Sequence, residues 1–368
     1  MRNLILLIIS FLAIISTIAQ ETKNFKRPQE PQKPYPYLSE DVTFHNQKAD
    51  ITLSGTLTLP KNKTDFQTVI LISGSSPHTR DEDIAGHKPF LVIADHLTKN
   101  GIGVLRFDDR GVGNSEGKYK TAAYNDRISD VLSAFDYLKA RKDINSNKIG
   151  LIGHSEGGLI AAMTAEKSQD VGFIILMAAP GLTGYDMILL RTEKSNKQAG
   201  KSPTEINKET ILLKGIFEVI MKSDNLDESK IALTDSLQNQ LKTNPAQFPK
   251  GLKAEDLDLM VGTFSAPWFQ RILKSDPSAS LRNVECPVLA INGRNDKQIL
   301  PKENLGAIRQ ALEQGENTSF AIREISGLNH MFQESESGLV DEFSIIEQTF
   351  SPIALDVVTN WIKDNSKH

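Results

Sequence analysis

Ser155, His330 and Asp296 are the residues of this chain whose types suit covalent catalysis as a set. A serine hydroxyl is a weak nucleophile until a histidine within hydrogen-bond reach takes its proton, and that histidine needs a carboxylate to orient it. Ser155 stands in "GHSEGG", held between Gly153 and Gly157. A sharp strand-to-helix turn needs small residues two positions either side of the serine, because strand and helix crowd the backbone there. Such a turn holds the hydroxyl at the positive end of a helix. His330, in "REISGLNHMF", is the only histidine between Ser155 and His368. Asp296, in "INGRNDKQI", competes with Asp276, Glu303 and Glu324 for the orienting role. A tetrahedral intermediate also needs two backbone N–H donors. Glu156, next to the serine, is one candidate; Ser75 or Ser76 in "SGSSPHTRDED" is the other, Ser75 ahead.

The elements that must position these residues are legible as patterns. Residues 149–153 are mostly apolar and, past the turn, Leu159 to Met163 continue as a helix. The stretches "TVILIS", "GVLRFD", "KIGLIG", "GFIILMA", "PVLAING" and "FAIREI" are mostly continuous apolar runs, as expected of parallel strands buried on both faces. Ile128, Val131, Leu132, Phe135 and Leu138 recur at helical spacing, and "FLVIADHLTKNG" ends on a stop signal. Strand alternating with helix predicts an α/β fold, a doubly wound and mostly parallel sheet, whose site lies at the C-terminal strand ends. Asp296 then follows the "VLAIN" strand and His330 the "FAIREI" strand, whereas Glu324 lies within a strand and Asp276 precedes one. Residues 41–60 alternate with period two and predict antiparallel strands at a sheet edge. The first and second parts of this core run over 41–181 and 281–368.

Between them, residues 182–280 hold no convincing strand but several amphipathic stretches, including "EINKETILLKGIFEVIMK" and "EDLDLMVGTF"; they read as an inserted helical cap. The cap carries 11 Lys and 2 Arg against 13 Asp and Glu, so it has no net charge with which to hold a polyanion. Trp268 and Phe269 either wall a substrate pocket there or are plain core. Residues 1–19, with Arg2, an apolar run and small residues at Ser16, Thr17 and Ala19, read as a secretory signal peptide. Export to the periplasm or medium is expected, with no stable membrane span after cleavage; an uncleaved anchor is the alternative. Residues 20–40, rich in Gln, Lys and Pro, read as an extended tether with little core contact. The formal net charge of −4 offers nothing for a nucleic-acid partner. Cys286 is the single cysteine and reads as a buried thiol. Asp81, Asp83 and His87 have metal-ligand chemistry, but Arg80 beside them makes a salt-bridged loop the expectation. "GVGNSEG" has the wrong spacing for a phosphate loop.

The stretches "ISGSSPHTRDED", "LRFDDRGVGNSEG", "GLIGHSEGG", "PVLAINGRNDKQI" and "GLNHMF" together resemble the α/β-hydrolase fold family. Within it the chain is similar to bacterial carboxylesterases of the serine-aminopeptidase-like branch. The resemblance implies Ser155 as nucleophile, Asp296 as orienting acid, His330 as base, and the Ser75 region with Glu156 as oxyanion-hole positions. It also implies structural roles for Asp109 and Arg110. Relatives commonly have Gly-Pro after the first oxyanion-loop serine where this chain has Ser76-Pro77. The expected activity is carboxylic ester hydrolysis through an acyl-enzyme, on a small-molecule substrate and without a cofactor or metal. Three alternatives stay open: an aminopeptidase that reads a free amino terminus with Glu156, Glu193, Glu205 or Glu209, an acyl thioesterase, and a catalytically dead binding protein.

Overall fold

In the computed structural model of the protein, residues 26–61, 63–223, 225–248, 252 and 254–365 are described. The expected signal peptide, 1–19, and residues 20–25 of the expected tether lie outside them. The strands are β1 (Leu38–Asn46), β2 (Ile51–Leu59), β3 (Thr68–Ile72), β4 (Gly103–Phe107), β5 (Ile149–His154), β6 (Phe173–Met177), β7 (Val288–Gly293) and β8 (Phe320–Ile325). They form one sheet in the order β1-β2-β4-β3-β5-β6-β7-β8. β1, β2 and β4 pair antiparallel at one side, and all pairs from β4 to β8 are parallel.

The apolar runs act as two-faced strands. Ile70, Ile72, Leu151, Ile174, Leu176, Val288 and Ala290 enter one core. Val69, Leu71, Ile152, Ile175, Met177, Leu289 and Ile291 enter the other. Along the chain the helices of this unit are α1 (Pro89–Lys99), α2 (Tyr124–Lys139) and α3 (Glu156–Lys167), with later ones below. α2 and α3 cover the first core and α1 the second, so the sheet is wound on both faces. Each fully buried Leu or Ile contributes about 1.5–3 kcal/mol through area removed from water. β8 departs from expectation: Arg323 and Glu324 are exposed and only Ile325 is buried, because this strand is the outer edge of the sheet and has one neighbour.

The chain divides into two compact units, and Leu182–Asp276 is the smaller. It consists of α4 (Gly184–Gln198), α5 (Pro203–Lys222), α6 (Leu226–Thr243), α7 (Ala254–Phe264) and α8 (Pro267–Leu273), with a short 3₁₀ turn after α6. Ser202 and Glu205 cap the start of α5 reciprocally, and its Ile206, Leu213, Ile216, Phe217 and Ile220 are buried. The expected boundary at 280 moves to 276. Helix α9 (Pro277–Leu281) belongs to the larger unit, where Leu281 enters the first core and Ser280 donates to Glu166 on α3 at 2.6 Å. The larger unit closes with α10 (Pro301–Gln314), on the first core, and α11 (Pro352–Asp364), on the second.

The tether also differs from expectation, since residues 27–37 are strapped to the core. Arg27 donates to the carbonyls of Gly86 (3.1 Å), Ser344 (2.8 Å) and Ile346 (2.9 Å). Gln29 accepts from the N–H groups of Thr349 (2.6 Å) and Phe350 (2.9 Å) and donates to the Phe350 carbonyl at 2.7 Å. Polar composition here reflects service to the backbone of an irregular loop, whose peptide groups need partners. Gln29→Ala is therefore expected to cost about 1–3 kcal/mol by orphaning those groups. An unchanged denaturation midpoint would sink this role for the strap.

Candidate active site

β5 ends at His154 and α3 begins at Glu156, so Ser155 alone makes the turn, at φ 54° and ψ −122°. A non-glycine residue in that region carries about 1–3 kcal/mol of strain and persists only when its surroundings dictate it. Here they do. A Cβ on Gly153 would lie 2.1 Å from the Gly157 carbonyl oxygen, and one on Gly157 2.1 Å from that of Ile72. The Ser155 N–H donates to the Met177 carbonyl at 2.8 Å, tying the turn to β6. Ser155 is half-buried while His154 and Glu156 are buried.

Asp296 occupies the turn after β7 and His330 the loop after β8. His330 Nδ1 lies 2.8 Å from Asp296 Oδ2. Asp296 Oδ1 accepts the N–H groups of Gln298 (2.7 Å) and Ile299 (2.9 Å), which suits a carboxylate that is 1% exposed. With Nδ1–H donating to that carboxylate, Nε2 of His330 carries the free lone pair of a base. Of the competing carboxylates, Glu324 pairs with Arg294 at 2.7 Å and Glu303 sits in the first turn of α10.

The loop after β3 runs beside the elbow: a Cβ on Gly74 would be 3.4 Å from Ser155 Cβ. Ser76 has φ 84° and its hydroxyl donates to the Ser75 carbonyl, which His78 Nε2 also approaches at 3.0 Å. Beneath this loop is buried Arg127 on α2, a residue the sequence reading passed over. It bonds Glu156 Oε2 (2.9 Å), Ser73 O (3.0 Å) and Gly74 O (3.2 Å). Burial opposes its charge, but Tyr119, Asp109 and Glu156 outweigh that and hold its pKa above the ordinary value. The available signal was a charged residue at the edge of an apolar helical stripe. Asp109 accepts from the Ser73 hydroxyl (2.9 Å) and the His78 N–H (3.0 Å), while Arg110 pairs with Asp130 at 2.7 Å.

The Arg127 contact bears on the aminopeptidase alternative. The Glu156 side chain is buried in an ion pair with Arg127. The other acidic candidates are engaged within their own unit: Glu193 with Lys197, Glu205 with Ser202, and Glu209 with Lys201 and Asn196. Phe269 is buried against Phe264 (5.1 Å between centroids) and Phe217 (6.0 Å), with Trp268 edge-on at 5.5 Å. Arg80 pairs with Asp108 at 2.8 Å and Asp81 with Arg106, while buried His87 approaches Thr349 and Phe343. Among the described residues no three His, Cys, Asp or Glu side chains group as a metal site would need. Cys286, expected to be buried, is only half-buried, and desolvation raises its thiol pKa to about 12.

Residues 89–336 match the family described as "Serine aminopeptidase, S33". The esterase EstD of Thermotoga maritima is 25% identical over 85% of this chain, which spans 66% of EstD's length. An uncharacterized 31.7 kDa Escherichia coli protein is 24% identical over 88% of this chain and 98% of its own length. Among solved structures, the Pyrococcus furiosus esterase Pf2001 superposes with a TM-score of 0.53 at 17% identity. That match covers 93% of this chain and 98% of the esterase.

Proposed function

This chain belongs to the serine aminopeptidase S33 family of α/β hydrolases, and from that premise we propose that it cleaves carboxylic esters with Ser155 as nucleophile. The observation that carries the reading is the 2.8 Å contact between His330 Nδ1 and Asp296 Oδ2, on loops beside the strained elbow that presents Ser155. His330 Nε2 takes the Ser155 proton as Oγ adds to the ester carbonyl, and the oxyanion meets the N–H of Glu156 and that of Ser75 or Ser76. Collapse breaks the ester C–O bond, and His330 returns the proton to the departing alcohol. Water, deprotonated by the same nitrogen, then releases the acid and restores Ser155. Asp296 stays ionised throughout and stabilises the imidazolium.

The family description supports a second reading, release of an amino-terminal residue from a peptide. The engagement of Glu156, Glu193, Glu205 and Glu209 in local pairs weighs against it, since each carboxylate already has a cation or N–H to serve. Side-by-side assay of short-chain p-nitrophenyl esters and aminoacyl p-nitroanilides separates the two. Esters are expected to have the higher kcat/KM by about tenfold or more; faster anilide turnover would overturn the assignment. Residues 1–19 support export, and among the described residues no helix is long and apolar enough to cross a membrane.

A further inference from the structure

Glu82 is 1% exposed in the loop after β3, at φ 52°, and plays no part in the mechanism above. It lies outside the residues matched to the family. Its Oε1 accepts the Gly74 N–H at 2.8 Å and lies 3.0 Å from His154 Nδ1. The other ring nitrogen of His154, Nε2, is 3.0 Å from the backbone oxygen of His330. A carbonyl only accepts, so Nε2 carries a proton, and the proton on the Nδ1 side is shared with the carboxylate. Burial opposes charge on both partners. Their mutual attraction and hydrogen bond outweigh it, raising the His154 pKa and lowering that of Glu82. One buried carboxylate thus touches the loop carrying the oxyanion candidates directly. Through one imidazole it also reaches the residue before the nucleophile and the backbone of the base.

We propose that Glu82 is a positioning residue that, through His154 and Gly74, sets the spacing of the oxyanion loop, the Ser155 elbow and the His330 backbone. The proposal rests on the assignment of Ser155 and His330 given above. It follows from geometry because these three segments lie on loops after different strands, β3, β5 and β8, and no ladder bond fixes one loop against another. A small error in their spacing costs rate rather than binding, since the reacting atoms must be aligned within a fraction of an ångström.

The test compares Glu82→Gln, His154→Gln and the double variant with the parent on a p-nitrophenyl ester, with fluorophosphonate labelling of Ser155 counting competent sites. Glu82→Gln keeps the shape and an acceptor for Gly74 but loses the charge. Its kcat per labelled site is expected to fall about 10- to 100-fold with KM within about twofold. The double variant is expected to fall no further than the worse single, because both act through one contact. Losses that multiply, or a Glu82→Gln kcat per labelled site equal to the parent's, would overturn the proposal. If Glu82→Gln does not fold, His154→Gln decides: parental kcat there rejects the role and a selective kcat loss supports it. Absence of labelling on Ser155 in the parent would instead reject the nucleophile assignment itself.

Discussion

Ser155→Ala is expected to lower ester turnover by about a million-fold while leaving the fold unchanged, as read by circular dichroism and the thermal midpoint. The fold is indifferent because what holds the elbow is backbone. The Ser155 N–H bonds Met177, the Gly158 N–H bonds the Ser155 carbonyl, and the serine hydroxyl makes no capping bond to α3. Alanine meets the same strain at φ 54° as serine does, so the turn survives the change. Residual activity above about one part in ten thousand would place the nucleophile elsewhere. His330→Ala should match it nearly in full, since nucleophile and base act as a unit and their losses do not add.

Asp296→Asn is expected to cost about four orders of magnitude in kcat with the protein still folded. The wiring of the turn gives the reason. Oδ1 of Asp296 already accepts two backbone N–H groups, from Gln298 and Ile299, so an asparagine must place its oxygen there. Its NH₂ then faces His330 Nδ1, forcing that nitrogen to accept and moving the proton to Nε2. The base would be protonated on the very nitrogen that must take the Ser155 proton. Near-parental turnover would require another orienting carboxylate.

The elbow was legible because its requirements are local: Gly153 and Gly157 are small where the Gly157 and Ile72 carbonyls come within 2.1 Å of a would-be Cβ. The parallel core was legible for the same kind of reason, since β3 through β7 are buried along their whole length and show unbroken apolar runs. "FAIREI" misled because a run of that composition does not reveal whether a second neighbour will cover it. Residues 27–37 misled more, since polar side chains that look solvated in sequence serve the backbone of a loop more than 300 positions away, as Arg27 and Gln29 do.

Sequence by itself determined the strand-turn-helix around Ser155 and the alternation that builds a two-faced sheet, because each depends on spacing within a short window; the proposal of His330 as base started from a simple inventory of histidines. Only the tertiary structure decided the partners of the buried charges. Arg127 meets Glu156 across 29 positions and Glu82 meets His154 across 72. A buried charge is tolerated only where the fold supplies an opposite one, and no local pattern says which residue that will be. That is why the sequence left Glu156 open as one of four carboxylates that could meet an amine, and why Glu82 did not stand out at all.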